Sequence, residues 1–262
     1  MEHKYKISVV MPTWNRANII QHAIRSVVDQ TFKDWELIIV DDGSEDHTKR
    51  IVEEFAHPRI KYIKAEHSGH VSKVRNIGNQ AASGEIIVVH DSDDIAFPDR
   101  LEEIVKAFEE NPEAELVYHG MYLRFYDPFH NAVSRMIRPA LSYSKEKLLS
   151  SQYIPGQVAY KREIILKYPY DERITCCDDY QMLLEMALND VKFQPIFKNL
   201  YEYADSPDSI NVNGEMDGRR RKDVEIILEI LKEKYNISAI AGLIKNTVGD
   251  GQTISREIIR RN

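Results

Sequence analysis

Gly84-Glu85-Ile86-Ile87-Val88-Val89-His90-Asp91-Ser92-Asp93-Asp94 decides the fold, because a short apolar run stops there in a cluster of acid. Ile86 to Val89 reads as a buried strand. Three carboxylates follow within four residues, and clustered charge of one sign is costly unless something neutralises it. Carboxylates two apart in an extended turn can face the same way. Hard divalent cations take oxygen ligands, and a diphosphate would supply the remaining oxygens. The competing reading is that the aspartates cap the helix that opens near Pro98 and satisfy turn amides. For a single Asp that reading would win; for three directly behind a strand, a cation-binding turn is the better one.

Outward from this run, short apolar stretches alternate with amphipathic ones. Ile7 to Met11, Leu37 to Val40 and Ile60 to Ile63 read as strands. Between them, helices are expected over Ile19 to Gln30, near Thr48 to Phe55 and from Val74 to Ala82. A further one runs from Pro98 to about Asn111. This alternation predicts an α/β fold with a mostly parallel, Rossmann-like sheet and helices on both faces. Past residue 110 the pattern loosens. Leu116 to Tyr118, Tyr122 to Phe125 and Gln157 to Tyr160 read as strands, and Lys145 to Leu149 and Asp179 to Leu188 as helices. Arg219 to Tyr235 is a basic-then-apolar amphipathic helix, with a weaker helix after it. The expected division is one domain over 1–215, with halves 1–110 and 111–215, and a helical appendage over 216–262.

A chain of 262 residues can bury its own core without staples. A formal net charge of −7 argues against a nucleic-acid partner held by phosphate neutralisation. The two cysteines, Cys176 and Cys177, are adjacent, which suits no disulfide framework and fits a reducing compartment. Met1-Glu2-His3-Lys4 opens no signal peptide, and the apolar runs are too short to span a bilayer. A cytoplasmic location is therefore expected. Peripheral contact with an anionic membrane stays open through Arg219-Arg220-Arg221-Lys222 and the looser set Arg256, Arg260 and Arg261, although such clusters are usually solvated faces.

In open α/β sheets, ligands bind beyond the carboxyl ends of the strands. That rule gathers Pro12-Thr13-Trp14-Asn15-Arg16, Asp41-Asp42-Gly43-Ser44 and the Asp91-Ser92-Asp93-Asp94 turn onto one rim. Asp41 and Asp42 read either as an ordinary turn or as acceptors for a nucleobase edge or ribose beside the Trp14 ring. Asp178 and Asp179 open a helix, so they either complement its dipole or serve as proton acceptors. His67, His70 and His119 lack metal-ligand spacing, and His90 reads as a partly buried structural histidine.

Together these segments resemble glycosyltransferase family 2, which has the GT-A fold. The resemblance runs from Ser8-Val9-Val10-Met11-Pro12-Thr13-Trp14-Asn15-Arg16 through Ser26 to Phe32, Trp35 to Ser44 and Arg75-Asn76-Ile77-Gly78 to the acid turn. It is nearly continuous over residues 6 to about 110 and thins beyond. The usual tyrosine of the first motif is Trp14 here. The resemblance implies an inverting, non-processive hexosyltransferase of polysaccharide assembly that uses Mn2+ or Mg2+. Its donor would be a nucleoside diphosphate sugar, a UDP-sugar first and a GDP-sugar second, and its acceptor a saccharide or a lipid-linked one. It also implies that Pro12, Thr13 and Trp14 line the base pocket with Arg16 beside them, and that Asp42, with Asp41 as a second candidate, contacts the base. Arg75 would lie near the nucleotide and Asp91, with Ser92, near the ribose. Asp93 would hold the metal, with Asp91 as a second candidate ligand, and Asp179 would be the general base with Asp178 as its companion. Two rivals remain at this stage: a degenerate GT-A module that binds nucleotide or glycan without turnover, and a sugar-nucleotide pyrophosphorylase. The second would need a glycine-rich loop that Met11 to Asn18 lacks.

Overall fold

The computed structural model describes residues 4–126, 132–205 and 218–237. Its first half is a parallel sheet in the order β3-β2-β1-β4, built from β1 (Tyr5–Thr13), β2 (Trp35–Asp41), β3 (Ile60–Lys64) and β4 (Gly84–Val89). β1, β2 and β4 are almost wholly buried, as strands covered on both faces must be. Helices α1 (Ile20–Val28), α2 (Thr48–Glu54) and α3 (Val71–Ala81) make the crossovers, and α4 (Arg100–Glu110) follows the two-residue strand β5 (Ile95–Ala96). α1 shows why these segments are helices. Ile20, Ala23, Ile24 and Val27 repeat at helical spacing, and all four are buried.

The second half extends the sheet as β4-β8-β6-β9-β5, making it mixed. Its elements are β6 (Leu116–Tyr126), β7 (Ala132–Arg138), α5 (Lys145–Ser150), β8 (Ala159–Lys161), α6 (Arg162–Lys167), α7 (Asp178–Leu188), β9 (Phe193–Asp205) and α8 (Arg219–Tyr235). β8 pairs antiparallel with both β4 and β6, whereas β6 and β9 run parallel. The two strands expected from Leu116 and Tyr122 are one continuous strand, broken only in register around Gly120. β9 escaped the sequence reading because Gln194, Pro195, Lys198 and Asn199 interrupt its apolar pattern. β7 and the short helix α6 escaped it too.

Apolar side chains form one large cluster on each face of the sheet. α1, α2 and α4 cover one face. α3 and α5 to α8 cover the other, with Val224, Ile227, Ile230 and Leu231 of α8 inside the same cluster as Leu183 of α7. The boundary expected at 216 therefore divides no core in the described part of the chain. The weaker helix expected beyond Tyr235 lies outside the described residues. Among the described residues, no helix is long and apolar enough to cross a membrane.

Candidate active site

α3 sets up the site by lying unusually close to β1. A side chain at Gly78 would collide with Val10, so only glycine permits this approach. Arg75, one turn earlier, then reaches under the strand ends. Its NH2 donates to Asp91 Oδ1 at 2.8 Å and its NH1 to Asp178 Oδ2 at 2.5 Å. One buried guanidinium thus ties the acid turn behind β4 to the first turn of α7. Burial alone would lower the Arg75 pKa, but Asp178 and Asp91 hold it well above its usual value.

The three carboxylates of the turn have separate fates. Asp91 Oδ2 also accepts from Gln157 Nε2 at 3.1 Å; although burial works against its ionisation, Arg75 holds its pKa below the usual range. Both oxygens are engaged and one pairs with a guanidinium, so Asp91 is less open to a cation than Asp93. Asp94 is fully buried, accepting from Tyr201 Oη at 2.9 Å and the Ala204 amide at 2.8 Å. Burial, then Asp93 and Asp91, push its pKa well up, and both its oxygens are committed inside the core. Among the described residues Asp93 accepts no side-chain hydrogen bond, and its nearest cation is the Arg16 guanidinium, Nη2 at 3.7 Å. Burial and Asp91 raise its pKa to about 6. An under-neutralised carboxylate with free oxygens, on a partly open turn, fits one hard divalent cation whose remaining ligands come from a diphosphate.

At the other pole, Asp178 is consumed by Arg75, while Asp179 accepts from Gln152 Nε2 at 2.8 Å and from the Tyr180 amide at 2.7 Å. Burial and the neighbouring Asp178 raise Asp179 to about 6. A side chain at Gly156 would strike the Asp179 carboxylate, so this glycine leaves that carboxylate its space.

The rim beside β1 and β2 carries the aromatic surface. Trp14 is 48% exposed and stacks on His67, with ring centroids 5.1 Å apart. Asn15, in the left-handed region at φ 50°, accepts the Glu45 amide on its side chain, and the Asn15 amide donates to Ser44 Oγ. These bonds tie the 14–17 loop to the 44–48 loop. Asp42 is spent on the opposite wall: Ser68 and Gly69 amides and Ser68 Oγ donate to it at 2.9 Å, and His67 Nδ1 lies 3.0 Å away. Asp41 is fully buried beneath, bonded to the Ser44 amide and to Tyr62 Oη. It cannot reach a base, which corrects its expected role. Pro12, Thr13 and Ser92 are buried along the same rim. Thr13 Oγ1 has no partner there.

The profile described as glycosyl transferase family 2 matches residues 8–175, more than half of the chain. The chain belongs to glycosyl transferase family 2. It is 31% identical over 205 residues to an uncharacterized glycosyltransferase of Methanocaldococcus jannaschii, a match covering 75% of this chain and 70% of that one. Against an uncharacterized glycosyltransferase of Haemophilus influenzae it is 27% identical over 72% of its own length, and spans only 64% of that relative. Among solved structures, Staphylococcus aureus TarS 1-349 superposes with a TM-score of 0.68 at 20% identity, covering 92% of this chain and 71% of that one. The same protein has been solved with UDP-GlcNAc. The mannosyltransferase PcManGT of Pyrobaculum calidifontis, solved with GDP-Man and Mn2+, gives 0.64 at 19% identity over 93% and 74% of the two chains. At such identities these structures establish the GT-A fold and no more.

In this family 2 chain, several residues that shape the site were invisible to sequence reasoning. Gln152, Gly156 and Gln157 lie around the Pro155-Gly156 step, a turn signal that could have flagged them. Tyr201 comes from the unrecognised β9. Arg100, fully buried and bonded to no carboxylate among the described residues, donates to His119 Nε2, His90 Nδ1 and the Val89 and Gln157 carbonyls, with the Tyr201 ring 4.4 Å away. Burial and then Arg100 push both histidines down to about 3, so they are neutral acceptors. His90 is thus fully buried, not partly, and Arg100 forms the floor under the acid turn.

Proposed function

We propose that the chain transfers a hexosyl group from a nucleoside diphosphate sugar, with inversion, onto a saccharide or lipid-linked hydroxyl. The observation that carries this is the Arg75 clasp, which couples the acid turn to the acid pair of α7 and leaves on each side one carboxylate, Asp93 and Asp179, that Arg75 does not bond. Asp93 would hold a divalent cation, Mn2+ or Mg2+, which supplies positive charge to the departing diphosphate. Asp179 would accept the acceptor's hydroxyl proton. The hydroxyl oxygen forms its bond to the anomeric carbon while the bond from that carbon to the diphosphate oxygen breaks, its electron pair leaving with the diphosphate. Gln152 and Gly156 keep Asp179 oriented, and the Trp14 and His67 rings offer a stacking face for the base, with the Thr13 hydroxyl free to bond to it. Family resemblance favours UDP over GDP. Asp91 and Ser92 would flank the ribose, and Asp42 would act on the base edge only by exchanging one of its present donors.

Calorimetry of UDP and GDP with and without Mn2+ tests the donor side. Metal-assisted affinity should disappear in Asp93→Ala with the melting temperature nearly unchanged. On the acceptor side, Asp179→Asn should keep UDP affinity while single-turnover transfer slows by at least about 10²-fold, the scale for losing a positioned base. Unaltered metal-assisted binding in the first variant, or a near-native rate in the second, would remove the corresponding assignment.

A further inference from the structure

The loop leading into α7 is held by a side chain from α8. Asp223 is 1% exposed, yet no cation pairs with it among the described residues. Its carboxylate takes the Thr175 amide at 3.0 and 3.1 Å, the Cys176 amide at 2.7 Å, the Cys177 amide at 3.1 Å and the Thr175 hydroxyl at 3.1 Å. Three consecutive amides, immediately ahead of Asp178 and Asp179, thus converge on one buried anion. The other end of α7 is tied to α8 as well. Lys234 Nζ donates to Glu185 at 2.8 Å, and Asn189 Nδ2 donates to Tyr235 Oη at 2.8 Å. α8 therefore lies along α7 in the same direction, bonded at both ends, with Val224, Ile227, Ile230 and Leu231 buried between.

The sulfur atoms of Cys176 and Cys177 are 3.9 Å apart and, with Asp223, make three donors within 4.8 Å. That spacing would suit a metal, but both Asp223 oxygens are already filled by N–H and O–H donors. The carboxylate acts on the backbone. Packing alone would be served by an apolar side chain at 223, since burying an ion without a cation is tolerated only where directed donors replace water. What Asp223 adds is a fixed path for residues 175–177. From the opposite side, the Ile174 carbonyl accepts from Ser72 Oγ of α3 at 2.6 Å, so the path is held by both helices.

We propose that Asp223 is a positioning residue for the transfer reaction, and that α8 is a splint setting the first turn of α7 against Arg75 and Gln152. The proposal rests on the reading of Asp179 as the base. Misplacing a reacting group by about an ångström can cost about 10²-fold in rate, without contact to substrate being lost.

The test is a double-mutant cycle on single-turnover hydrolysis of UDP-glucose or UDP-N-acetylglucosamine, whichever the protein turns over, with Mn2+ and water as acceptor. Asp223→Asn should lower the rate by about tenfold while UDP affinity changes by less than about twofold. In an Asp179→Asn background the same substitution should cost less than about twofold, because residues acting through one group are non-additive. Ile227→Ala opens a core cavity without touching the Asp223 carboxylate or its amide donors and controls for stability; assayed well below its melting temperature, it should leave the rate within about twofold. An equal loss from Asp223→Asn in both backgrounds overturns the proposal, as does an Ile227→Ala loss matching that of Asp223→Asn. Should Asp179→Asn alone keep the native rate, the base assignment fails first, and the splint loses the group it serves.

Discussion

The acid turn behind β4 and the first turn of α7 present the same electrostatic problem and divide it in the same way. Each packs carboxylates side by side in a buried setting, and each gives one of them to Arg75: Asp91 from the turn, Asp178 from the helix. Each then leaves one carboxylate with a pKa raised to about 6, Asp93 on the first side and Asp179 on the second. The difference lies in what surrounds the leftover acid. Asp93 accepts no side-chain hydrogen bond among the described residues, and its nearest cation is Arg16 at 3.7 Å, so its oxygens stay open to a cation. Asp179 is held by Gln152 and the Tyr180 amide, which fixes its direction. A loosely held carboxylate suits an ion that brings its own ligands; a tightly aimed one suits proton transfer, where geometry sets the rate.

The largest effect should come from removing what the two sides share. Arg75→Met strands two buried carboxylates, so denaturant unfolding should show a loss of roughly 3–5 kcal/mol. A loss below about 1 kcal/mol would mean that the two sides are held together by other contacts.

Gly156→Ala touches only the α7 side. The added methyl group must displace Asp179, so single-turnover transfer should fall by about 10–100-fold while metal-assisted UDP affinity stays within about twofold. An equal loss in both would show that the two sides are not separable.

The pH dependence follows from the raised acids. In the proposed role as base Asp179 must be ionised, so transfer should be flat above about pH 7 and fall about tenfold per unit below about pH 6. Because Asp178 contributes to the shift, Asp178→Asn should move that limb to lower pH. Stability runs the other way. Between about pH 4 and pH 6 the folded protein keeps protons on Asp93 and Asp179 that the unfolded chain has lost, so this contribution weakens as pH rises through the window. Added Mn2+ should restore part of it above pH 6 through Asp93 alone, visible as a melting-temperature gain absent from Asp93→Ala.

The smallest effect is expected at Asp94. The isosteric Asp94→Asn keeps an acceptor for the Ala204 amide and a polar group beside Tyr201 Oη, so it should shift stability by no more than about 1 kcal/mol and leave metal-assisted UDP binding intact. A large loss of metal affinity there would return Asp94 to the cation site.

The alternation of apolar runs and amphipathic stretches between Ile7 and Asn111 determined the parallel half of the sheet, because a strand or helix buried along its length declares itself by local periodicity. The acid turn and the Asp178-Asp179 pair were legible for the same reason, as dense local features at element ends. What each acid does was not. Asp91, Asp93 and Asp94 look interchangeable in sequence, and only the tertiary structure sets their charge, through Arg75, Gln157 and Tyr201 at separations of 16, 66 and 107 residues. Asp223 makes the point most sharply. It follows Arg219-Arg220-Arg221-Lys222 and reads as part of a solvated basic face, yet it is buried on three amides 46 to 48 residues away. Burial and pairing are properties of the assembled core, and a side chain's chemistry follows the partners that the fold brings to it.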